Sequence, residues 1–170
     1  MPDMDQHAPA PAPVDRLSFR AALGRFVTGV TVVTALDGAG RPVGLTVNSF
    51  NSVSLDPPLI LWSIDRRGSF FDAFAQAPRF AVNVLSVAQK ELARRFAGNP
   101  AERFDGVACE PGLAGIPLIP DCIAWFECST RQRVDGGDHL ILVGLVERFA
   151  QSPGQELLYF GGSYGAAQAL

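Results

Sequence analysis

Asn48, Ser49, Asn51, Ser52 and Ser54 crowd hydroxyl and amide side chains into one short stretch, closed by Asp56-Pro-Pro58. A phosphate needs several hydroxyls and backbone N–H groups converging on it, and such a stretch supplies both without a helix. Ser and Asn are also common turn residues, and composition alone favours an ordinary polar loop. Arg66, Arg67 and Ser69 follow the next apolar run. Two cations, a hydroxyl and a helix N-terminus could meet one anion there, although helix starts are often polar only because they are solvated. Arg94, Arg95 and Phe96 end a second predicted helix, where the helix dipole favours cations for structural reasons alone. Gly137-Asp-His139 is less ordinary, because the chain has two histidines and the other, His7, lies near the N-terminus. An imidazole at a hairpin mouth can hold a ligand amide, stack on an aromatic ring or exchange a proton. A lone turn histidine is more often just exposed.

Two motif matches fail on context. Gly161-Gly-Ser-Tyr-Gly165 has the form of a nucleophile elbow, which requires a following helix and the order Ser, acid, His. Only five residues follow Gly165, and His139 precedes Ser163. Gly38, Gly40 and Gly44 depart from dinucleotide-loop spacing and lead into a strand pattern. With one histidine in the folded part and no Cys-x-x-Cys among Cys109, Cys122 and Cys128, no metal site is expected. Buried thiols in a reducing compartment are the expected state of the cysteines.

The elements that must position these residues alternate mostly between strands. Phe19, Leu23 and Phe26 recur at helical spacing behind Ser18, read as the cap of a short amphipathic helix. Val30–Leu36 and Pro42–Val47 form a predicted hairpin around Asp37-Gly-Ala-Gly40. The polar stretch Asn48–Ser54 is then a loop or irregular strand before the strand Leu59–Ile64. A short helix over Ser69–Gln76, a strand Phe80–Leu85 and an amphipathic helix Val87–Phe96 follow. Ala101–Pro120, with Pro111, Pro117 and Pro120 among its glycines, reads as a long surface connection. Ile123–Val134 and His139–Phe149 make a long hairpin around Asp135-Gly-Gly-Asp138, and Leu157–Phe160 a last short strand. This order predicts a mainly β fold, antiparallel, with a few short helices in one domain over residues 17–170. Residues 1–16, with Pro2, Pro9, Pro11 and Pro13, read as a disordered tail without a secretory pattern, so a cytoplasmic location is expected. The formal net charge of −3 gives no electrostatic footprint for nucleic acid, and no apolar run is long enough to span a membrane as a helix.

In their order, Phe19-Arg-x-Ala-Leu-Gly-x-Phe26, Thr28-Gly-Val-Thr-Val-Val33, Gly44-Leu-Thr-Val-Asn-Ser-Phe50, Ser52-Val-Ser-Leu-Asp-Pro-Pro58, Phe80-Ala-Val-Asn-Val-Leu85, Gly137-Asp-His139 and Tyr159-Phe-Gly-Gly-Ser-Tyr164 resemble the flavin reductase-like family. The resemblance implies an antiparallel split β-barrel that forms a homodimer and binds flavin at the subunit interface. It implies hydride transfer from NADH or NADPH to FMN or FAD, with reduced flavin passed to a separate monooxygenase. Thr46, Val47, Asn48 and Ser49 would line the isoalloxazine; Ser52, Asp65, Arg66, Arg67 and Ser69 would hold the phosphate end. Arg95 and Phe96 match a further flavin-contacting stretch. Gly137, Asp138 and His139 would border the nicotinamide, with His139 as the catalytic residue, and Tyr164 matches an aromatic near the same groove. Ser163 stands where many relatives have Arg, which removes one cationic nucleotide contact. A flavin-binding electron carrier or sensor without NAD(P)H turnover is the alternative reading.

Overall fold

The computed structural model describes residues 14–168. In chain order it has helix α1 (Arg16–Leu23), strands β1 (Thr28–Gly29), β2 (Thr31–Leu36), β3 (Pro42–Val47), β4 (Asn51–Leu55) and β5 (Pro58–Asp65), and helix α2 (Phe71–Gln76). Then come β6 (Arg79–Val84), α3 (Lys90–Ala97), β7 (Glu110–Pro111), β8 (Pro117–Leu118), β9 (Ala124–Gly136), β10 (His139–Gln151), β11 (Leu157–Phe160) and β12 (Ser163–Ala166). Seven strands form one antiparallel sheet in the order β3-β2-β6-β9-β10-β5-β4, and β1-β11-β12 form a smaller one. None of the described helices is long and apolar enough to cross a membrane.

The two edges of the large sheet are consecutive strands, joined only by Asn48, Ser49 and Phe50. A flat sheet of this size would hold its edges roughly 29 Å apart, whereas the connection from Val47 to Asn51 reaches at most about 14 Å. The sheet must therefore curl into a barrel that is split between β3 and β4, as the family resemblance implied. Ser49 fastens the split: its Oγ donates to Ser63 O at 3.0 Å and accepts from Ser63 N at 2.9 Å, so one hydroxyl stands in for a β-bridge to β5.

Alternation along β5 and β10 sends Ile60, Trp62, Ile64, Leu140 and Leu142 into the barrel interior. Trp62 meets the edges of Phe74 and Phe80 there, with centroids 5.0 and 5.8 Å apart. Gly144 is required by this packing, since a Cβ would lie 2.5 Å from the Phe80 ring. Central strand β2 is buried on both faces, and on its outer side Val30 and Val32 pack with Leu85, Ala93 and Phe96.

Several local expectations change. Asp15, not Ser18, caps α1, accepting from Ser18 N at 2.8 Å, so Asp15 and Arg16 belong to the helix rather than to the tail. The rest of the expected tail, up to residue 13, lies outside the described residues. Phe70 precedes α2, and Ser69 sits in a turn before it. The stretch 101–120 is not all surface. Ile116, Leu118 and Ile119 are buried, because Thr34 donates its hydroxyl to Pro117 O at 2.6 Å and Asn83 accepts from Ile119 N at 2.9 Å. Buried polar groups on β2 and β6 thus draw this segment in. Cys122 and Cys128 are buried, with burial pushing both thiols up to about 12, but Cys109 is exposed. The polar stretch Asn48–Ser54 divides into the link 48–50 and the irregular strand β4 (Asn51–Leu55), with a register shift between Ser52 and Ser54.

Replacing Ser49 by Ala removes both bonds across the split. The variant should lose about 1–3 kcal/mol of stability, the cost of leaving a partly buried backbone pair unsatisfied, as a lower urea midpoint in the absence of any ligand.

Candidate active site at the barrel seam

Some of the residues expected to do chemistry lie on β3 and the link after it, and others at the end of β5 and the hairpin beside it. On one bank, β3 turns Val43, Leu45 and Val47 toward the barrel interior and Gly44 and Thr46 toward α3. Thr46 Oγ1 donates to Ala93 O at 2.7 Å, which binds the strand to the helix. Asn48, just past the strand, is exposed. As an edge strand, β3 pairs with no strand other than β2, so alternate backbone groups lie outside the ladder; of these the Gly44 carbonyl accepts from Arg103 at 2.8 Å.

The other bank is the end of β5 and the mouth of the β9–β10 hairpin. Asp65 and His139 are directly opposed in the ladder, and alternation puts both on the outer face. Nδ1 of His139 lies 2.7 Å from Oδ1 of Asp138. A carboxylate only accepts, so Nδ1 carries the proton and Nε2 is left for a ligand. The hydrogen bond from His139 holds the Asp138 carboxyl below its ordinary range. Arg67 binds Asp65 through its side chain and backbone N–H, and this pairing depresses Asp65 strongly. Arg66 donates from Nε to Gly137 O at 3.0 Å and from Nη2 to Asp135 at 2.7 Å, lowering Asp135 in turn. Gly137 has φ near 77°, a conformation that favours glycine, and it lets the turn present Asp138 and His139 together.

Measured against expectation, Asp65, Arg66, Arg67, Gly137, Asp138 and His139 come together, and the stretch Thr46–Ser49 is tied to the same strand through the Ser49–Ser63 contact. Several of the expected residues are used differently. The Val47 side chain packs against the barrel interior. The Ser49 and Thr46 hydroxyls donate to backbone carbonyls, which leaves Asn48 as the exposed polar side chain of this stretch. Phe96 is fully buried, edge-on to Phe104 at 5.0 Å, because Gly44 leaves room for its ring; it is a core residue. Arg66 and Arg67 are each paired with a carboxylate, Asp135 and Asp65. Tyr164, on β12, has its ring centroid 5.4 Å from that of Tyr159 and packs in the cluster around α3. Ser52 and Ser69 are exposed, and Arg95 donates to Asp105 O at the C-terminal end of α3. Sequence reasoning took Asp135 as a turn residue only, since nothing in Asp-Gly-Gly-Asp shows that Arg66 would reach it.

Asp65, Asp135 and Asp138 all titrate below their ordinary range when folded. Groups with depressed folded values stabilise above the unfolded pKa, and that contribution disappears as pH falls through the folded one. Asp135→Asn should therefore melt slightly below the native protein near neutral pH, with the gap closing below about pH 3. A gap that stays constant across a pH series of thermal melts would remove the Arg66 clamp.

Comparison with known proteins places this architecture. A family model described as a flavin reductase like domain matches residues 23–168. The chain is 47% identical over 161 residues to the FMN reductase (NADH) SmoA of Agrobacterium fabrum, covering 95% of this chain and 91% of that protein. It is 46% identical to the reductase component of the flavin-dependent trigonelline monooxygenase of Acinetobacter baylyi, over 85% of this chain but 47% of that protein, so it spans about half that relative's length. The NADH:FAD oxidoreductase of Streptomyces globisporus, solved in complex with NAD and FAD fragments, superposes with a TM-score of 0.84 at 38% identity, covering 93% of this chain and 96% of that one. By sequence along almost its whole described length, and by fold, the chain belongs to the flavin reductase like domain family.

Proposed function

We propose that the chain is an NAD(P)H:flavin oxidoreductase that reduces FMN or FAD and supplies reduced flavin to a separate oxygenase. The observation that carries this reading is at the seam, where the link leaving β3 is bonded through Ser49 to Ser63 of β5, two residues before Asp65, the ladder partner of His139. The donor set suits a flavin: free backbone groups of an edge strand match the amide-like rim of an isoalloxazine, and Asn48 adds an amide. Arg66, Arg67, Ser69 and Ser52 could serve an anionic end, provided the two guanidinium groups exchange carboxylate for phosphate. Bound flavin and nicotinamide supply the hydride chemistry themselves.

The chain's own residues then set geometry. Nε2 of His139 is placed to accept from a carboxamide, and Asp138 keeps the ring from turning. The Arg66 contacts hold the hairpin mouth to β5. No acid–base triad is needed, in keeping with a fold so poor in histidine. The relative named as a reductase component of a flavin-dependent monooxygenase supports the oxygenase partner.

A homodimer fits the outer surface. Leu59, Leu61, Ile141, Val143 and Leu145 form an apolar outer face on β5 and β10, and beside them on β4 Leu55 is 95% exposed. Helix α1 has no buried residue although Phe19, Leu23 and Leu17 all lie on it. A second subunit would cover such apolar surface. The free thiols and the nicotinamide requirement suit the cytoplasm.

Two measurements test these readings. His139→Ala should slow reduction of flavin by NADH about 10- to 100-fold through lost alignment, with flavin affinity nearly unchanged. Stopped-flow reduction and flavin titration on the same variant separate this from a flavin-holding role, and a native protein that binds flavin but is not reduced by NADH or NADPH would be a carrier or sensor. Sedimentation velocity at micromolar concentration should show a dimer; a monomer with full turnover would exclude the second subunit from the site.

A further inference from the structure

Arg103 lies in the stretch read from sequence as a surface connection, yet it is 8% exposed. Its guanidinium donates from Nη1 to Gly44 O at 2.8 Å, and from Nε and Nη2 to Gly98 O at 3.3 and 3.0 Å. Its Cζ stands 5.2 Å from the centroid of Phe70. Among the described residues it forms no ion pair with a carboxylate, and burial lowers its pKa.

Holding a cation this way is costly, because desolvating it without a counter-charge is expensive and an apolar side chain of similar volume would do better on stability alone. The carbonyl-rich end of α3, where Gly98 is the C-cap, offsets part of the cost, and the Phe70 ring another part. The packing is built to admit it. A Cβ on Gly44 would lie 2.8 Å from Phe96 and 3.1 Å from Phe104, so the absent side chain lets Phe104 settle on β3 and brings its neighbour Arg103 onto the Gly44 carbonyl. Gly44 is two residues before Thr46 on the same face of β3, and Phe70 directly follows the turn Asp65–Ser69. One guanidinium therefore touches the strand, the helix and the turn that carry the proposed flavin contacts.

We propose that Arg103 is a positioning residue for flavin, joining Gly44 of β3, the C-terminal end of α3 and Phe70 so that the two banks keep the spacing a bound flavin requires. This rests on the reductase reading above. The planar fork matters as well as the charge: it spans two carbonyls and stacks on the ring at once, which an ammonium cannot do.

The test uses the full chain with FMN as probe. Arg103→Met should raise the dissociation constant for FMN about tenfold, the scale of one lost hydrogen bond to a charged group, and raise the KM for FMN in step. The KM for NADH at saturating FMN should move much less. Arg103→Lys should fall between the native protein and Arg103→Met. Phe70→Leu, which leaves the charge in place, should weaken FMN in the same direction by a smaller factor and covers the case in which Arg103→Met does not fold. Equal FMN affinity in every soluble variant, with only the melting temperature reduced, would overturn the assignment and leave the reductase reading intact. A parallel rise of both KM values would also overturn it, as general loosening. A native protein that binds neither FMN nor FAD would instead overturn the reductase reading itself.

Discussion

Three residues, Asn48 to Phe50, carry the chain from one edge of a seven-stranded sheet to the other, and so short a link cannot cross a flat sheet. Curling follows from that constraint, and with it an interior that Trp62, Phe74 and Phe80 can fill. The same link leaves β3 and β4 unpaired with each other, so the barrel has one seam where backbone groups stay available. Ser49 holds the seam at a single point through its two bonds to Ser63 and leaves the rest of it open.

What lies on either side of the seam is set by independent forces. On the β3 side the forces are steric: Gly44 admits the Phe96 and Phe104 rings, and Thr46 ties itself to Ala93, so α3 lies close against the strand. On the hairpin side they are electrostatic. Arg66 and Arg67 alternate with Asp65, Asp135 and Asp138 around His139, and the pairs lie at the surface, where water screens them. Surface pairs of this kind contribute little to stability and exchange partners readily, which suits a mouth proposed to admit two nucleotides in turn.

A buried ion pair elsewhere shows the contrast. Glu127 is 1% exposed and accepts from Arg148 and from Leu113 N, with the Arg148 guanidinium 5.6 Å from the centroid of Trp125. Gly112 leaves room for that carboxylate, since a Cβ there would clash with it. This pair fastens the 101–120 segment against β9 and β10. The charges around His139 are exposed, and the Arg66 contacts there hold only the hairpin mouth to β5.

Strand and helix periodicity, the Asp-Gly-Gly-Asp hairpin and the order of motifs were enough to determine a mainly antiparallel barrel and its family, because these depend on local pattern and on the register that pattern imposes. Which atom of each segment faces a ligand depended on the tertiary structure. Thr46 and Val47 were expected to line the same ligand, but the strand turns them to opposite faces, and only the packing of α3 shows that the Thr46 hydroxyl is taken by a carbonyl. Phe96 next to Arg95 looked like part of a binding run, and it became core because Gly44, far away in sequence, made space for it. Arg103 went unnoticed among the prolines and glycines of its segment. A buried guanidinium is recognised by the carbonyls and the ring that surround it, and those come from residues 44, 98 and 70, which nothing in the local sequence brings together.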